Sequence, residues 1–276
     1  MTTTTKLMAG VLLAAVILLM GNCTTDASPM EEQVEPVPAD SIMSVALQPA
    51  SPLNENARQL ILLRRDAYTV LYNPATRLPV WVAWRLTADH TDGPFSRDGL
   101  KFAEDKDVPV PRATNDDYRN SGYDRGHMCP SGDNKWSELA QVQSFLYTNC
   151  CPQVRSLNSG DWNELEKRCR QWAQQYGELY IVCGPLFLNR RHKTIGRNEV
   201  VVPEAFFKVI LCMAGTPKAI GFVYRNEQCN NDMASYVNSV DDVERLTGLD
   251  FYTGLPDDVE RKVEAVVSFH DWGIVR

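Results

Sequence analysis

The order of strand-like and helix-like segments constrains the fold of this chain more than any other sequence feature. Runs that are rich in β-branched and aromatic residues and bounded by Gly, Pro or Asn are typical of strands. They lie at residues 68–72, 80–86, 179–183, 205–213 and 219–224. The first two runs flank Asn73-Pro74, and we predict that they pair across this turn.

Helices are predicted between and after these runs, at about residues 55–65, 137–146, 160–176, 239–247 and 256–266. Strands and helices therefore do not alternate regularly, which argues against a doubly wound parallel sheet. The order favours an α+β fold with a mixed, largely antiparallel central sheet flanked by helices.

The N-terminal region differs in composition from the rest. Residues 7–20 form an apolar run after Lys6; a bilayer span needs about 20 residues, so residues 1–22 are predicted to be a signal peptide. Cys23 follows Met20-Gly21-Asn22 as in bacterial lipoprotein cleavage sites, although Asn22 is not the usual small residue; secretion after simple cleavage is the alternative. Residues 23–52 are predicted to be a disordered acidic tether, and residues 53–276 one folded domain.

The net charge of −7 limits the kind of partner that the chain can bind. The tether carries five acids and no base, and the remaining domain is still acidic. That balance counts against tight, salt-driven DNA binding, but it allows an enzyme with a local basic groove. The run Arg190-Arg191-His192-Lys193, with Arg197, is the candidate patch; a solvated loop is the equally weighted alternative.

Asp124-Arg125-Gly126-His127 is the segment with the most chemical content. An imidazole of pKa about 6.5 can take a proton from water near neutral pH, and a planar guanidinium suits phosphate oxygens. Asn158 and Glu166, 31 and 39 residues past His127, offer the oxygen ligands that a hard cation such as Mg²⁺ prefers. These parts suit phosphodiester hydrolysis; an ordinary loop histidine bonded to the backbone is the alternative.

The sequence around this segment resembles that of the DNA/RNA non-specific endonucleases, which include secreted bacterial nucleases and mitochondrial endonuclease G. The similarity covers roughly residues 65–275, and its ordered matches are Trp81–Thr87, Gly122–His127 with Pro130, Thr148-Asn149, Pro152-Gln153, Leu157-Asn158, Trp162, Leu165-Glu166, Cys183–Pro185, Ile195-Gly196, Val202-Pro203, Phe206–Val209 and Thr247–Phe251. The resemblance implies a ββα-metal (His-Me finger) core built from the strand of His127, the Asn149 region and the helix of Glu166.

The resemblance also implies roles for individual residues. His127 would be the general base that activates water, and Asn158 the direct protein ligand of a single Mg²⁺, with Mn²⁺ as a substitute. Glu166 would hold metal-bound water. Arg125 would contact phosphate or stabilise the transition state, and Arg97, by a looser match, would face phosphate as well.

Two further residues are interpreted as supporting the site. Asn149 matches a family asparagine next to the site, and Asp124 is interpreted as orienting the loop through hydrogen bonds. Asn158 to Asp161 is interpreted as a helix start, with Trp162, Leu165, Cys169 and Trp172 as the buried stripe of that helix. Glu166 lies at the margin of this stripe. The alternatives are a plain N-cap for Asn158 and a solvated helix charge for Glu166.

Taken with this resemblance, the sequence predicts an exported, Mg²⁺-dependent endonuclease that cuts DNA and RNA with little sequence preference, and the resemblance implies 5′-phosphate products. We expect a cell-envelope lipoprotein or a secreted or periplasmic protein, touching a membrane only through a lipid on Cys23. Two alternatives are a non-catalytic surface lipoprotein that keeps the fold for binding, and a hydrolase using Cys129 or Cys151 as nucleophile. The eight cysteines show no Cys-x-x-Cys spacing typical of zinc sites; disulfide pairing, oligomeric state and any inhibitor protein stay open.

Overall fold

A computed structural model of the chain describes residues 38–48, 50, 51, 53, 59–228 and 230–274. The predicted signal peptide, Cys23 and most of the predicted tether lie outside these residues. No helix in the described ranges is both long and apolar enough to cross a membrane.

The strands of the described residues follow one another in chain order. They are β1 Val45–Leu47, β2 Ile61–Arg64, β3 Thr69–Asn73, β4 Leu78–Thr87, β5 Asp124–His127, β6 Cys150–Gln153, β7 Glu178–Leu186, β8 Thr194–Ile195, β9 Val200–Val201, β10 Ala205–Cys212, β11 Lys218–Arg225, β12 Val237–Asn238 and β13 Leu249–Phe251.

The α-helices of the same residues are mostly short. They are α1 Ala39–Ile42, α2 Asn115–Tyr118, α3 Glu138–Ser144, α4 Arg155–Ser159, α5 Asp161–Tyr176, α6 Val240–Thr247 and α7 Asp257–Ala265. The predicted helices at about 137–146, 160–176, 239–247 and 256–266 are confirmed by α3, α5, α6 and α7.

A seven-stranded sheet in the order β12-β11-β10-β7-β4-β3-β2 forms the centre of the fold. Every neighbouring pair is antiparallel, and β10 pairs with β11 from Ala205 opposite Arg225 to Cys212 opposite Lys218. The predicted antiparallel sheet and the predicted pairing of the first two runs, now β3 and β4, are confirmed.

The central sheet is buried on both faces. Side chains of a strand alternate between faces, so on β10 Phe206, Lys208 and Ile210 point to one face and Phe207 and Val209 to the other. We call the first the front face, which is covered by α5 and the β5–β6 hairpin. The second is the back face, which is covered by α6 and α7.

Two predictions at the N-terminal side are wrong. Within the predicted helix at 55–65, Ile61 to Arg64 form strand β2, because pairing with β3 at the sheet edge outweighs the helix preference of its leucines. The predicted tether ran to residue 52, but β1 pairs with β13 and Ile42 is buried against the back face. Three apolar residues between polar neighbours give no periodicity, so only the tertiary contact reveals this strand.

Candidate active site

A β5–β6 hairpin followed by α4 and α5 builds the ββα unit of the candidate site. The hairpin is antiparallel, with His127 opposite Cys150 and Gly126 opposite Cys151. A Cβ on Gly126 would lie 2.0 Å from the Gln153 side-chain oxygen. Any larger residue before His127 would therefore require the buried Gln153 side chain to move, which gives the Gly-His pair of the motif a steric cause.

Asn149 fixes the chain just after His127. Its buried amide accepts from the Cys129 N–H at 2.9 Å and donates to the carbonyls of Cys129 and Ser144 at 2.8 and 2.9 Å. The Met128 N–H donates in turn to the Asn149 carbonyl. Asn149 is completely buried, and its hydrogen bonds hold the backbone of Met128 and Cys129, the two residues that follow His127.

A cavity of about 450 Å³ opens at the end of β5. It brings together the predicted residues His127, Glu166 and Arg97, although Arg97 comes from a distant loop. Its walls are formed by Gly93, Pro94, Phe95, Ser96, Arg97, His127, Pro130, Ser131, Gly132, Lys135, Gln141, Asn163, Glu166 and Arg170. Asn158 and Arg125 do not line it.

His127 sits in an aromatic corner of this cavity. Its ring centroid lies 4.8 Å from that of Phe102 and 5.0 Å from that of Phe145, in an edge-to-face arrangement with the latter. The residue is half-buried as a whole, yet its Nε2 atom has neither solvent contact nor a hydrogen-bond partner among the described residues. Burial, with a smaller contribution from the charge of Arg97, lowers the pKa of His127 to about 3.

Helix α5 presents a polar stripe to the cavity. Asn163, Glu166 and Arg170 are spaced by three and four residues and line its wall, while the predicted apolar stripe, including Trp162 and Trp172, is buried behind them. Burial raises the pKa of Glu166 to about 7, against the opposing effect of nearby cations. Arg170 Nη1 donates to the buried carboxylate of Asp133 at 2.9 Å, which fixes the guanidinium.

The long helix α5 begins at Asp161, within the predicted helix start, but Asn158 lies in the preceding α4, so the alternative of an N-cap role for Asn158 is wrong. Gly160 separates α4 from α5. A Cβ at this position would lie 2.3 Å from the Ser156 carbonyl oxygen. Asn158 Nδ2 donates to Asp124 Oδ2 at 3.1 Å. Asp124 was predicted to orient its loop through hydrogen bonds; here it accepts a hydrogen bond from the Asn158 amide, and this bond leaves the side-chain oxygen of Asn158 unused.

Asn158 and Glu166 each offer an oxygen donor of the kind that a hard divalent cation prefers. The Asn158 amide is oriented by Asp124 and lies outside the cavity wall, whereas Glu166 lines the cavity together with His127. Oxygen donors of this kind suit Mg²⁺ or Mn²⁺, and no cysteine or second histidine lines the cavity to favour a softer ion.

Arg125 is engaged with the protein. Its guanidinium donates to the Tyr147 hydroxyl at 3.0 Å and to Asn115 Oδ1 at 2.7 Å, and it lies over the Tyr118 ring. Arg97, in contrast, has an exposed side chain in the cavity wall, with its guanidinium 5.4 Å from the Phe145 ring centroid.

Three residues of this region were missed by the sequence analysis. Asn163 and Arg170 flank Glu166 at helical spacing, and that spacing was the available signal. Lys208 is completely buried on β10, on the front face below the cavity, and nothing in the apolar run Ala205–Cys212 predicted its environment.

A group of carboxylates lies away from the cavity, against the back face. Oxygen atoms of Asp241, Glu244 and Glu264 lie within 4.8 Å of one another. The group belongs to α6 and α7 and contains no residue of the predicted site. No residue of the predicted basic patch lines the cavity; its His192 pairs with Glu204 at 3.0 Å in the loop after β7.

The chain is similar to known nucleases over most of its length. The sequence model of the DNA/RNA non-specific endonuclease family matches residues 50–258. The mitochondrial nuclease EXOG of Xenopus laevis is 36% identical over 233 residues, which cover 78% of this chain and 65% of that protein. Mitochondrial endonuclease G of Homo sapiens is 35% identical over 204 residues, which cover 69% of each chain.

Two further comparisons extend this similarity. A nuclease of Nostoc sp. is 30% identical over 276 residues, covering 92% of this chain and 96% of its own length. A chain in the crystal structure of the EndoG/EndoGI complex, which describes the inhibition of EndoG, is 30% identical and superposes with a TM-score of 0.69, covering 73% of this chain and 88% of that one.

Proposed function

This chain belongs to the DNA/RNA non-specific endonuclease family and has its ββα-metal (His-Me finger) fold, and from that premise we propose that it is an exported, Mg²⁺-dependent endonuclease. The family makes it a metal-dependent phosphodiester hydrolase. We infer that it cuts DNA and RNA with little sequence preference and leaves 5′-phosphates. The main support for the proposal is that His127, Glu166, Arg97 and Arg170 line one cavity. His127 Nε2 has no hydrogen-bond partner among the described residues.

His127 is the general base of this proposal. A pKa of about 3 keeps its imidazole neutral at physiological pH, and Nε2 has no hydrogen bond to give up among the described residues, so it can accept a proton once substrate and water reach it. A phosphodiester in the cavity adds negative charge, which favours the protonated ring and raises the pKa of His127 during the reaction. Trp162 Nε1 donates to the His127 carbonyl at 3.3 Å, which helps hold the base in place.

Arginines supply the phosphate contacts. Arg97 is exposed in the cavity wall, and Arg170 is held by Asp133, so a phosphate can meet two guanidinium groups with little rearrangement. We assign Arg125 to the phosphate because its hydrogen bond to Asn115 Oδ1 is exposed, so an incoming anion can take the place of Asn115.

Asn158 and Glu166 would hold the Mg²⁺, Asn158 directly and Glu166 through water. When bound, the ion neutralises charge at the phosphate and at the departing 3′ oxygen. Asp124 contributes by keeping the Asn158 amide turned so that its oxygen is available.

Weak sequence preference follows from the composition of the cavity. Its polar wall offers guanidinium and ammonium groups for phosphates, while Trp162 and Trp172 are buried in the core and offer no stacking surface. Groups that read the backbone carry no sequence information. The proposal of export rests on residues 1–23 alone, which lie outside the described residues.

A cleavage assay on the mature chain tests the proposal. Supercoiled plasmid and RNA are incubated with Mg²⁺, with Mn²⁺, with EDTA, and with Mg²⁺ after thiol alkylation, and the product ends are mapped. Cleavage that EDTA stops, that alkylation spares and that leaves 5′-phosphates is the expected result. Binding without cleavage under either ion would instead establish a binding protein, and loss on alkylation would establish a thiol mechanism.

A further inference from the structure

The lysine on β10 is an anomaly in the core. Lys208 has no exposed surface, and its Nζ has no hydrogen-bond partner among the described residues. An unpaired ammonium is costly to bury, and a core position of this kind is usually apolar. The side chains around Lys208 must therefore stabilise its charge.

Two indole rings enclose the ammonium group. Lys208 Nζ lies 4.3 Å from the Trp162 ring centroid and 5.4 Å from that of Trp84. A cation over an aromatic face is attracted to the negative charge of that face, and the attraction strengthens when water is excluded. Both rings are almost completely buried, so Lys208 restricts how they can turn.

Each of these rings donates a hydrogen bond to a different part of the candidate site. Trp162 Nε1 donates to the His127 carbonyl, at 3.3 Å. Trp84 Nε1 donates to Asp133 Oδ2, at 3.1 Å, and the other oxygen of Asp133 accepts from Arg170. Lys208 thus contacts the two side chains that connect the sheet to the base and to a cavity arginine.

The charge of Lys208 is maintained by its neighbours. Burial opposes ionisation, but Cys183, Cys169, Glu166 and Asp133 hold the pKa of Lys208 above its ordinary value. Burial raises the pKa of both thiols to about 12 and that of Glu166 to about 7, so at neutral pH the thiols are uncharged and the negative charge lies on Asp133 and on part of the Glu166 population. The ammonium is thus present when the cavity is in use.

We propose that Lys208 is a positioning residue of the active site: its ammonium holds the Trp84 and Trp162 rings, and through them the His127 backbone and the Asp133–Arg170 pair. This inference rests on the proposed function, because it assumes that His127 and Arg170 act on the substrate. Lys208 touches no substrate in this scheme. A small displacement of catalytic groups can cost about 100-fold in rate, so positioning alone carries a measurable effect.

A neutral residue of similar shape separates positioning from packing. In Lys208→Met we expect the side chain to fill the same space, with a lower Tm, because a buried cation is removed from beside the carboxylates of Asp133 and Glu166. At saturating Mg²⁺ we expect kcat of the folded fraction on plasmid DNA to fall by about 10–100-fold with KM nearly unchanged. A purely structural lysine would lower Tm but leave kcat of the folded fraction unaltered.

Lys218 provides a matched control on the neighbouring strand. Its Nζ lies 3.9 Å from the Tyr176 ring centroid and 4.9 Å from that of Trp272, and it donates to the Asp271 carbonyl. None of these residues lines the cavity. Lys218→Met removes an equivalent lysine–aromatic contact, and we expect it to lower Tm while leaving kcat unchanged.

Trp162→Phe tests the connection without altering Lys208. Phenylalanine keeps a ring beside the lysine but lacks the N–H that reaches His127, so kcat of the folded fraction should fall, and Tm should fall as well because the smaller ring leaves a cavity in the core. Because both changes act through one contact, the double variant with Lys208→Met should lose much less than the product of the two single losses. Multiplicative losses, or wild-type kcat in either single variant, would overturn the inference whether or not Lys208→Met is stable.

His127→Ala, measured in parallel, separates this inference from the function on which it rests. An inactive wild type, or an active His127→Ala, removes the proposed function. A dead His127→Ala beside a fully active Lys208→Met removes only the role of Lys208. A Lys208→Met chain unfolded at the assay temperature assigns the lysine to folding and also overturns its positioning role.

Discussion

The two faces of the central sheet bury charge in different ways. On the front face, Lys208, Arg170, Asp133 and Glu166 form a group of mixed sign around the cavity. Against the back face, Asp241, Glu244 and Glu264 meet with no lysine, arginine or histidine within ion-pair distance in the described part of the chain. Charges of mixed sign compensate one another, whereas carboxylates alone must retain protons.

His127 on the front face and the carboxylates against the back face respond to pH in opposite directions, whereas Glu166, whose pKa is raised to about 7, responds as the carboxylates do. The folded-state pKa of His127 is low, so the stability that depends on this residue is complete above about pH 6.5 and is lost as the pH falls toward 3. On the back, burial and neighbouring carboxylates raise the pKa of Glu264 to about 9 and that of Glu244 to about 7. Stability there is complete below about pH 4.5 and is lost as the pH rises toward 9.

The largest expected effect separates activity from stability on the front face. In His127→Ala we expect kcat to fall about 1,000-fold, because general base catalysis is lost, while Tm changes by no more than a few degrees. Single-turnover plasmid cleavage and circular dichroism measure the two quantities. Activity within tenfold of wild type would remove His127 from the mechanism.

A smaller effect is expected at the proposed metal ligand. Asn158→Ala should raise the Mg²⁺ concentration needed for half-maximal cleavage by about 10–100-fold, since one oxygen ligand is lost. A Mg²⁺ titration of the cleavage rate measures this shift. Asp258→Asn, an exposed change on α7, is the control. An unchanged titration in Asn158→Ala would refute the ligand role.

On the back face the effect should appear in stability alone. Glu264→Gln removes the group that must keep its proton amid Asp241, Glu244, Asp250 and Glu260. We expect its Tm at pH 8.5 to exceed that of wild type by several degrees, with similar Tm at pH 4.5 and unchanged cleavage at pH 7. Melting curves from pH 4.5 to 9 give the comparison. Parallel curves for the two proteins would contradict it.

The smallest effect concerns the acid side. His127→Gln removes the imidazole that resists protonation, so its Tm in EDTA should decline less than that of wild type between pH 6.5 and 4.5, by about 2–4 °C. Glu264→Gln should leave this acid decline as it is. If both variants altered the same side of the curve, the opposition between His127 and the back-face carboxylates would be wrong.

Much of this architecture follows from local sequence patterns. The Trp162, Leu165, Cys169 and Trp172 spacing predicted α5 to within one residue of its start. Strand-like runs located five strands of the sheet, and the Arg97 match, although loose, identified a residue of the cavity wall.

Features that depend on long-range contacts were not predictable in this way. The leucines before Arg64 favour a helix, but these residues form strand β2 because they pair with β3. Arg125 was expected at phosphate, yet Asn115 and Tyr147 occupy its guanidinium, and neither is close in sequence. Lys208 lies within the apolar run of β10, and its neighbours in sequence do not explain why a charged residue is buried there. The rings of Trp84 and Trp162, which are distant in sequence, lie beside its ammonium group.

The six thiols in the described residues are all reduced and buried. Thiolate is the reactive form of cysteine, and burial raises the pKa of every one of these groups, so oxidants have little to attack in the native protein. The newly made chain has no such protection. In an oxidising compartment, folding of the new chain competes with the formation of incorrect disulfides. The fraction of chains without such disulfides then depends on how fast folding buries Cys150, Cys169 and Cys183.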